Sequence, residues 1–188
     1  MSALSIPPRT RITAERYETM IASGALTKHD RVQLIEGEIL EMAPIGPRHA
    51  MLVNRLTKWL VLGVKEAGMV STGHMLRLGE ASALEPDVLV LKPRDDDYGT
   101  AHPRAADVLL LIEVSDSSLA FDQSTKLDLY ARHGITEYWV VDAGGRRIVM
   151  YREPAEGRYA QQSEASAADA ASSRAFPDVR IEVGRLFA

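Results

Sequence analysis

A chain of 188 residues, 46% hydrophobic and 26% charged, can bury one sizeable core but is too short for two large domains. With no cysteine it has no disulfides, thiolate metal sites or cysteine nucleophile, and with no apolar run of about 18 residues and no signal-peptide pattern in MSALSIPPRTR a cytoplasmic protein is expected. The formal net charge of −4 argues against holding nucleic acid by bulk positive charge, although it leaves room for a locally basic cleft.

After an N-terminal arm over residues 1–11, Thr13 can cap a helix running to about Ser23, stopped by Gly24, with Tyr17, Met20 and Ile21 on one face. RVQLIEGEILEM reads as two short strands joined by a turn at Glu36-Gly37, with Glu38 just beyond the turn. Pro47 suits the first turn of a long helix reaching about Ala67. Leu52, Leu56, Trp59 and Leu60 follow helical spacing along it, and His49 lies at its start. The weak alternation of VSTGHMLRL, residues 70–78, predicts one strand with a solvated face.

EPDVLVL predicts a short buried strand opened by Asp87, and KPRDDDYGTAHPRAAD a surface loop whose three consecutive aspartates are solvated. VLLLIEVS is the most strongly buried strand, followed by a polar turn and a helix from Gln123 to His133 stopped by Gly134. EYWVVD and RRIVMYRE flank Asp142-Ala143-Gly144-Gly145, a hairpin signal. The Ser/Ala-rich stretch over 161–174 reads as a flexible connection, and FPDVRIEVGRLF offers a last strand. The order implies one α/β domain with a central mixed β-sheet flanked by helices.

Two acids stand where burial is expected. A carboxylate in an apolar strand costs several kcal/mol, of order, unless it is protonated, paired or bound to a cation. If the strands carrying Asp87 and Glu113 are neighbours, their carboxylates converge at one edge of the sheet and repel, and a divalent cation is the economical partner. Oxygen ligands with few imidazoles favour Mg²⁺ or Mn²⁺, and the Val114 carbonyl can complete the set. Such an ion suits phosphoryl chemistry. Asp122, Lys126 and Tyr130 recur every four residues on the following helix, so Lys126 can reach back to assist the attacking water or stabilise transition-state charge.

E-P-D-V at 85–88, I-E-V-S at 112–115, D-x-x-x-K-x-x-x-Y at 122–130 and G-I-T-E-Y-W-V-V-D at 134–142 together resemble the Uma2 family, also called DUF820. L-I-E-G-E at 34–38, the following M-A-P and His49 resemble its N-terminal part. The resemblance implies a restriction-endonuclease-like fold of the PD-(D/E)xK superfamily and a metal-dependent DNA endonuclease. It makes Pro86-Asp87 the PD element and Glu113 the acid of (D/E)xK, with Glu38 and His49 auxiliary. Position 115 departs from the superfamily pattern, which expects lysine where this chain has Ser115, and Lys126 resembles a migrated replacement.

Cutting both strands of a duplex normally takes two active sites, so a homodimer is expected. Candidate DNA contacts, Arg9, Arg11, Lys58, Lys65, Arg77, Arg146 and Arg147, are scattered, and weak, salt-dependent binding is expected. A non-catalytic nucleic-acid-binding or regulatory protein that kept the fold, and a hydrolase for RNA or branched DNA, remain open alternatives.

Overall fold

The computed structural model describes residues 10–27 and 29–188; Arg9 lies outside them. Helix α1 (Ala14–Ala22) begins where the Thr13 hydroxyl accepts the Arg16 amide and ends before Gly24, whose φ of +77° an L side chain tolerates poorly. Strands β1 (Val32–Ile35) and β2 (Glu38–Glu41) form the expected hairpin. Glu36 and Gly37 both take positive φ at its turn, and a Cβ on Gly37 would lie 2.6 Å from Arg11 Cβ. Helix α2 (Pro47–Val64) has proline in its first turn and buries Leu52, Leu56, Leu60 and Val64, a four-residue stripe.

Residues 70–78 do not make one strand. β3 (Met69–Ser71) ends at a bend in which Gly73 has φ +65°, and β4 (Leu76–Leu78) continues in a different sheet. The alternation of VSTGHMLRL runs through both pieces, so periodicity could not locate the break. β4 pairs with β5 (Ser82–Leu84), and the four-stranded sheet runs β2-β1-β5-β4.

The larger sheet is ordered β10-β9-β8-β7-β6-β3, built from β6 (Val88–Leu91), β7 (Val108–Ser115), β8 (Glu137–Asp142), β9 (Arg147–Ala155) and β10 (Arg158–Ala165) together with β3. Only β7 and β8 run parallel; the other pairs are antiparallel, so the expected central mixed sheet is present. The connection between β7 and β8 is helical: a short α3 (Leu119–Phe121), a π-helical turn at Asp122–Lys126, and α4 (Leu127–Arg132).

Alternation along β7 divides the core. Leu110, Ile112 and Val114 pack with α2, Trp139 and Val141, whereas Leu111 packs with Leu129, Tyr130, Tyr138 and Val140 on the opposite face. Glu113 and Ser115 share that second face, under the π turn.

The flexible connection expected over 161–174 is replaced by ordered structure. Residues up to 165 belong to β10, paired along its length with β9, and β11 (Ala170–Ala171) pairs with β12 (Ile181–Glu182). β10 is an edge strand, mostly exposed on both faces. It is held by backbone pairing to one neighbour, which leaves no hydrophobic period to read. The expected last strand is only β12, and a short helix α5 (Val183–Leu186) follows it.

Glu137 ties this C-terminal region to the sheet. Its buried carboxylate accepts from Arg152 Nε, Trp139 Nε1, the Ser173 hydroxyl and the Arg174 amide, each at 2.8 Å. Glu137→Ala takes the carboxylate from Arg152, which keeps hydrogen bonds to Ser163 and the Ser172 carbonyl, and leaves the buried Trp139 and Ser173 donors without their acceptor; the expected loss is about 3–5 kcal/mol, read as a lower urea midpoint. A loss under about 1 kcal/mol would show that these donors find other partners.

A tyrosine cluster makes the fold sensitive to alkali. Tyr138 stacks on Tyr151 at 5.9 Å between ring centroids and lies 6.4 Å from Tyr159, and burial pushes all three hydroxyls above their ordinary range. The unfolded chain releases these protons near pH 10 while the folded chain keeps them. The folded state therefore binds more protons, and its stability falls as pH rises above about 10, by about 1.4 kcal/mol per pH unit for each tyrosine held neutral. Urea midpoints at pH 9 and 11 that coincide would contradict this.

Candidate functional site

Val88 pairs with Ile112 in the antiparallel β6-β7 ladder, so the residue before Val88 and the residue after Ile112 meet at the strand ends. These are Asp87 and Glu113. They line one cavity of about 510 Å³ with His49, Val114, Asp122 and Lys126, between the central sheet, the π turn, the start of α2 and the first hairpin.

Asp87 is oriented by two donors on Oδ2: the Val114 amide at 2.7 Å and His49 Nε2 at 3.0 Å. His49 reaches it because Pro47 starts α2 two residues earlier, on the cavity rim. The bond to Asp87, helped by the Asp87, Glu113 and Asp116 charges and opposed by burial, raises the imidazole above its ordinary pKa.

Glu113 is 3% exposed and accepts at Oε1 from Lys126 Nζ at 2.8 Å and from the Tyr130 hydroxyl at 2.7 Å. Lys126, 8% exposed, also lies 3.4 Å from Asp122 Oδ1. Burial raises the Glu113 carboxyl, Lys126 opposes this, and the Asp87 and Asp122 charges push it further up. Lys126 is itself penalised by burial, but the carboxylates around it dominate and hold it cationic.

Ser115 has a task of its own. Its hydroxyl donates to Asp122 Oδ2 at 2.7 Å, Ser118 donates to the same oxygen, and Asp122 Oδ1 is thereby turned toward Lys126. The Tyr138 hydroxyl fixes the π turn by donating to the Asp122 carbonyl at 3.0 Å. Wide turns of this kind often occur at functional sites; here the turn carries both Asp122 and Lys126.

The structure thus brings together Asp87, Glu113, Val114, Lys126 and His49. It does not bring in Glu38, which opens β2 at the turn end of the hairpin, exposed and off the cavity wall. Glu41 lines the cavity instead, three residues on and about 10 Å further along the strand. Tyr130 is a direct partner of Glu113, and its place in D-x-x-x-K-x-x-x-Y was the available signal. Nothing in the chain marked Asp116 or Gln33 as wall residues, because their segments join the site only in three dimensions. Several candidate DNA contacts are engaged within the chain. Arg147 pairs with Asp142 and Glu164, Arg146 donates to the Phe187 carbonyl, and Arg11 donates to that of Glu36.

The donor set fits a hard divalent cation. The cavity wall carries six carboxylates, Glu41, Glu85, Asp87, Glu113, Asp116 and Asp122, against Arg31, Lys126 and the His49 imidazole. Both hydrogen bonds of Asp87 fall on Oδ2 and both of Glu113 on Oε1, so each acid keeps an oxygen not claimed by a hydrogen bond among the described residues. No group of three or more His, Cys, Asp or Glu side chains is gathered around a metal position among the described residues. Two carboxylates completed by water and substrate oxygens is the way Mg²⁺ is usually held.

No helix among the described residues is long and apolar enough to cross a membrane. No curated protein matches the chain. A crystal structure from Anabaena variabilis, described as "a putative nuclease belonging to DUF820", superposes with a TM-score of 0.73 at 15% identity, over 94% of this chain and 97% of that one; it shares the fold. The profile of the Uma2 family, described as "Putative restriction endonuclease", matches residues 14–184, and the chain therefore belongs to the Uma2 family.

Proposed function

We propose that this protein is a Mg²⁺- or Mn²⁺-dependent nuclease of the PD-(D/E)xK type that hydrolyses phosphodiester bonds in DNA. The observation that carries the reading is the convergence of Asp87, Glu113 and Lys126 on one cavity, with Lys126 Nζ 2.8 Å from Glu113 Oε1 although it comes from the helix rather than from position 115. Family membership supports the same reading.

Asp87 and Glu113 would hold the ion, with the Val114 carbonyl as a further oxygen. A bound divalent ion supplies charge neutralisation at the phosphate and a water of lowered pKa. The chain's own groups do the rest. The Val114 amide and His49 keep Asp87 in one rotamer, Tyr130 and Lys126 keep Glu113 in place, and the Lys126 ammonium offers positive charge to the phosphate oxygens as negative charge builds on them. Cleavage of both duplex strands would take a homodimer.

The test incubates the protein with supercoiled, linear, single-stranded and branched DNA, and with RNA, in Mn²⁺ beside Asp87→Asn. Cleavage lost in the variant supports the reading, and cleavage that survives it sinks the assignment of the site. The second reading, a binding or regulatory protein that kept the fold, is favoured by one feature: Glu113 Oε1 is already held by two donors. Calorimetry separates them, because the nuclease reading requires Mn²⁺ binding that depends on Asp87 and Glu113.

A further inference from the structure

A second cleft, of about 340 Å³, has the opposite chemistry to the first. Arg77, Arg104, His74 and His102 line it with Tyr98, and Glu18 is the only carboxylate on its wall among the described residues. In a chain of net charge −4 such a concentration of donors calls for a cause.

The fold brings them together across sequence. Arg77 lies in β4, its amide donates to the Pro103 carbonyl at 2.9 Å, and Arg77 and Arg104 form an isolated parallel bridge that sets the two arginines side by side. The imidazoles of His74 and His102 meet edge to face at 5.9 Å. Arg77 is partly engaged by Glu18, 3.5 Å away, whereas the Arg104 guanidinium has no ion-pair partner among the described residues. Nearby acids are already committed: Asp96 is bound by Arg94 and Thr100, and Asp107 accepts the Arg104 amide.

Strand β5 links the cleft to the candidate site. Glu85 is on the wall of the first cavity, two residues before Asp87. Arg77 pairs with Ala83 in β5, two residues before Glu85. Arg31, beside Glu85 on the same wall, has a buried Nε with no hydrogen-bond partner. Arginines therefore stand both on the wall of the acidic cavity, at Arg31, and in the second cleft, at Arg77 and Arg104, and positive charge spaced along a groove is what tracks a phosphate backbone.

We propose that the cleft of Arg77, Arg104, His74 and His102 docks the phosphodiester backbone of the nucleic-acid strand whose scissile bond lies at Asp87 and Glu113. The inference rests on the nuclease reading. Cleft arginines fix the register of the strand through its phosphates and carry no sequence preference.

The histidines report both sites in one spectrum. Full-length protein labelled in its histidines is titrated, without divalent metal, with a dT6 oligonucleotide and separately with inorganic phosphate, while the cleavage assay runs in parallel. The oligonucleotide is expected to shift the imidazole signals of His74 and His102 at concentrations where phosphate does not. Arg104→Ala, which removes no ion pair among the described residues, should weaken this binding about fivefold to tenfold. It should also lower the salt slope of a single strand by about 0.7.

DNA cleavage with His74 and His102 unmoved overturns the docking site and leaves the nuclease reading standing. Shifts at these two signals without cleavage of any substrate sustain the docking site and remove the nuclease reading. Equal shifts from phosphate and oligonucleotide, or no shift from either, overturn the docking site.

Discussion

Replacing Lys126 by alanine will destabilise the fold by about 3–5 kcal/mol. The ammonium is buried between Glu113 and Asp122, at 2.8 and 3.4 Å, and its removal leaves two carboxylates facing each other with only hydroxyl donors. Methionine at the same position fills the volume without the charge and separates packing from electrostatics. Lys126→Met together with Glu113→Gln should recover part of the loss, because the Lys126–Glu113 pair is removed rather than broken while Asp122 keeps its buried charge. Urea denaturation of the two single variants and the double variant checks this. Additive losses would mean that Lys126 and Glu113 do not depend on each other, and the site would have to be rebuilt without the pair.

Asp87→Asn is expected to lower Mn²⁺-dependent DNA cleavage by about 10² to 10³-fold while the fold persists. The amide oxygen of asparagine can still accept the Val114 N–H, so the strand end keeps its shape; what is lost is one negative charge and one ligand oxygen. Isothermal titration with Mn²⁺ should show weakened binding in parallel. His49→Ala removes a group that acts only by holding Asp87, and the expected cost is smaller, about 10 to 100-fold in metal affinity. Full cleavage by Asp87→Asn with undiminished Mn²⁺ binding would place the chemistry elsewhere.

The legible part of this protein was its buried part. β7 declared itself as a central strand because eight apolar or anomalous residues in succession have few other solutions, and Glu113 stood out there. β10 and the split at Thr72-Gly73 were silent, because an exposed edge strand and a bend inside a weakly alternating run leave no period to detect. Glu38 looked like a site residue through the resemblance of L-I-E-G-E at 34–38 to the family's N-terminal part. The antiparallel register then carried its turn away from the cavity and left Glu41 there.

Sequence by itself determined the chemistry available: two acids on strands that had to be buried, a lysine four residues from an aspartate, a histidine in the first turn of a long helix, and the α/β class. Only the tertiary structure decided which of these meet. The β6-β7 register sets Asp87 beside Glu113, the π turn delivers Lys126 to the carboxylate that Ser115 could not serve, and Arg77 and Arg104 close a basic cleft from segments far apart in the chain. The physical reason is that burial and charge are properties of single residues, readable one at a time. Convergence is a property of register and crossover, which local periodicity does not encode.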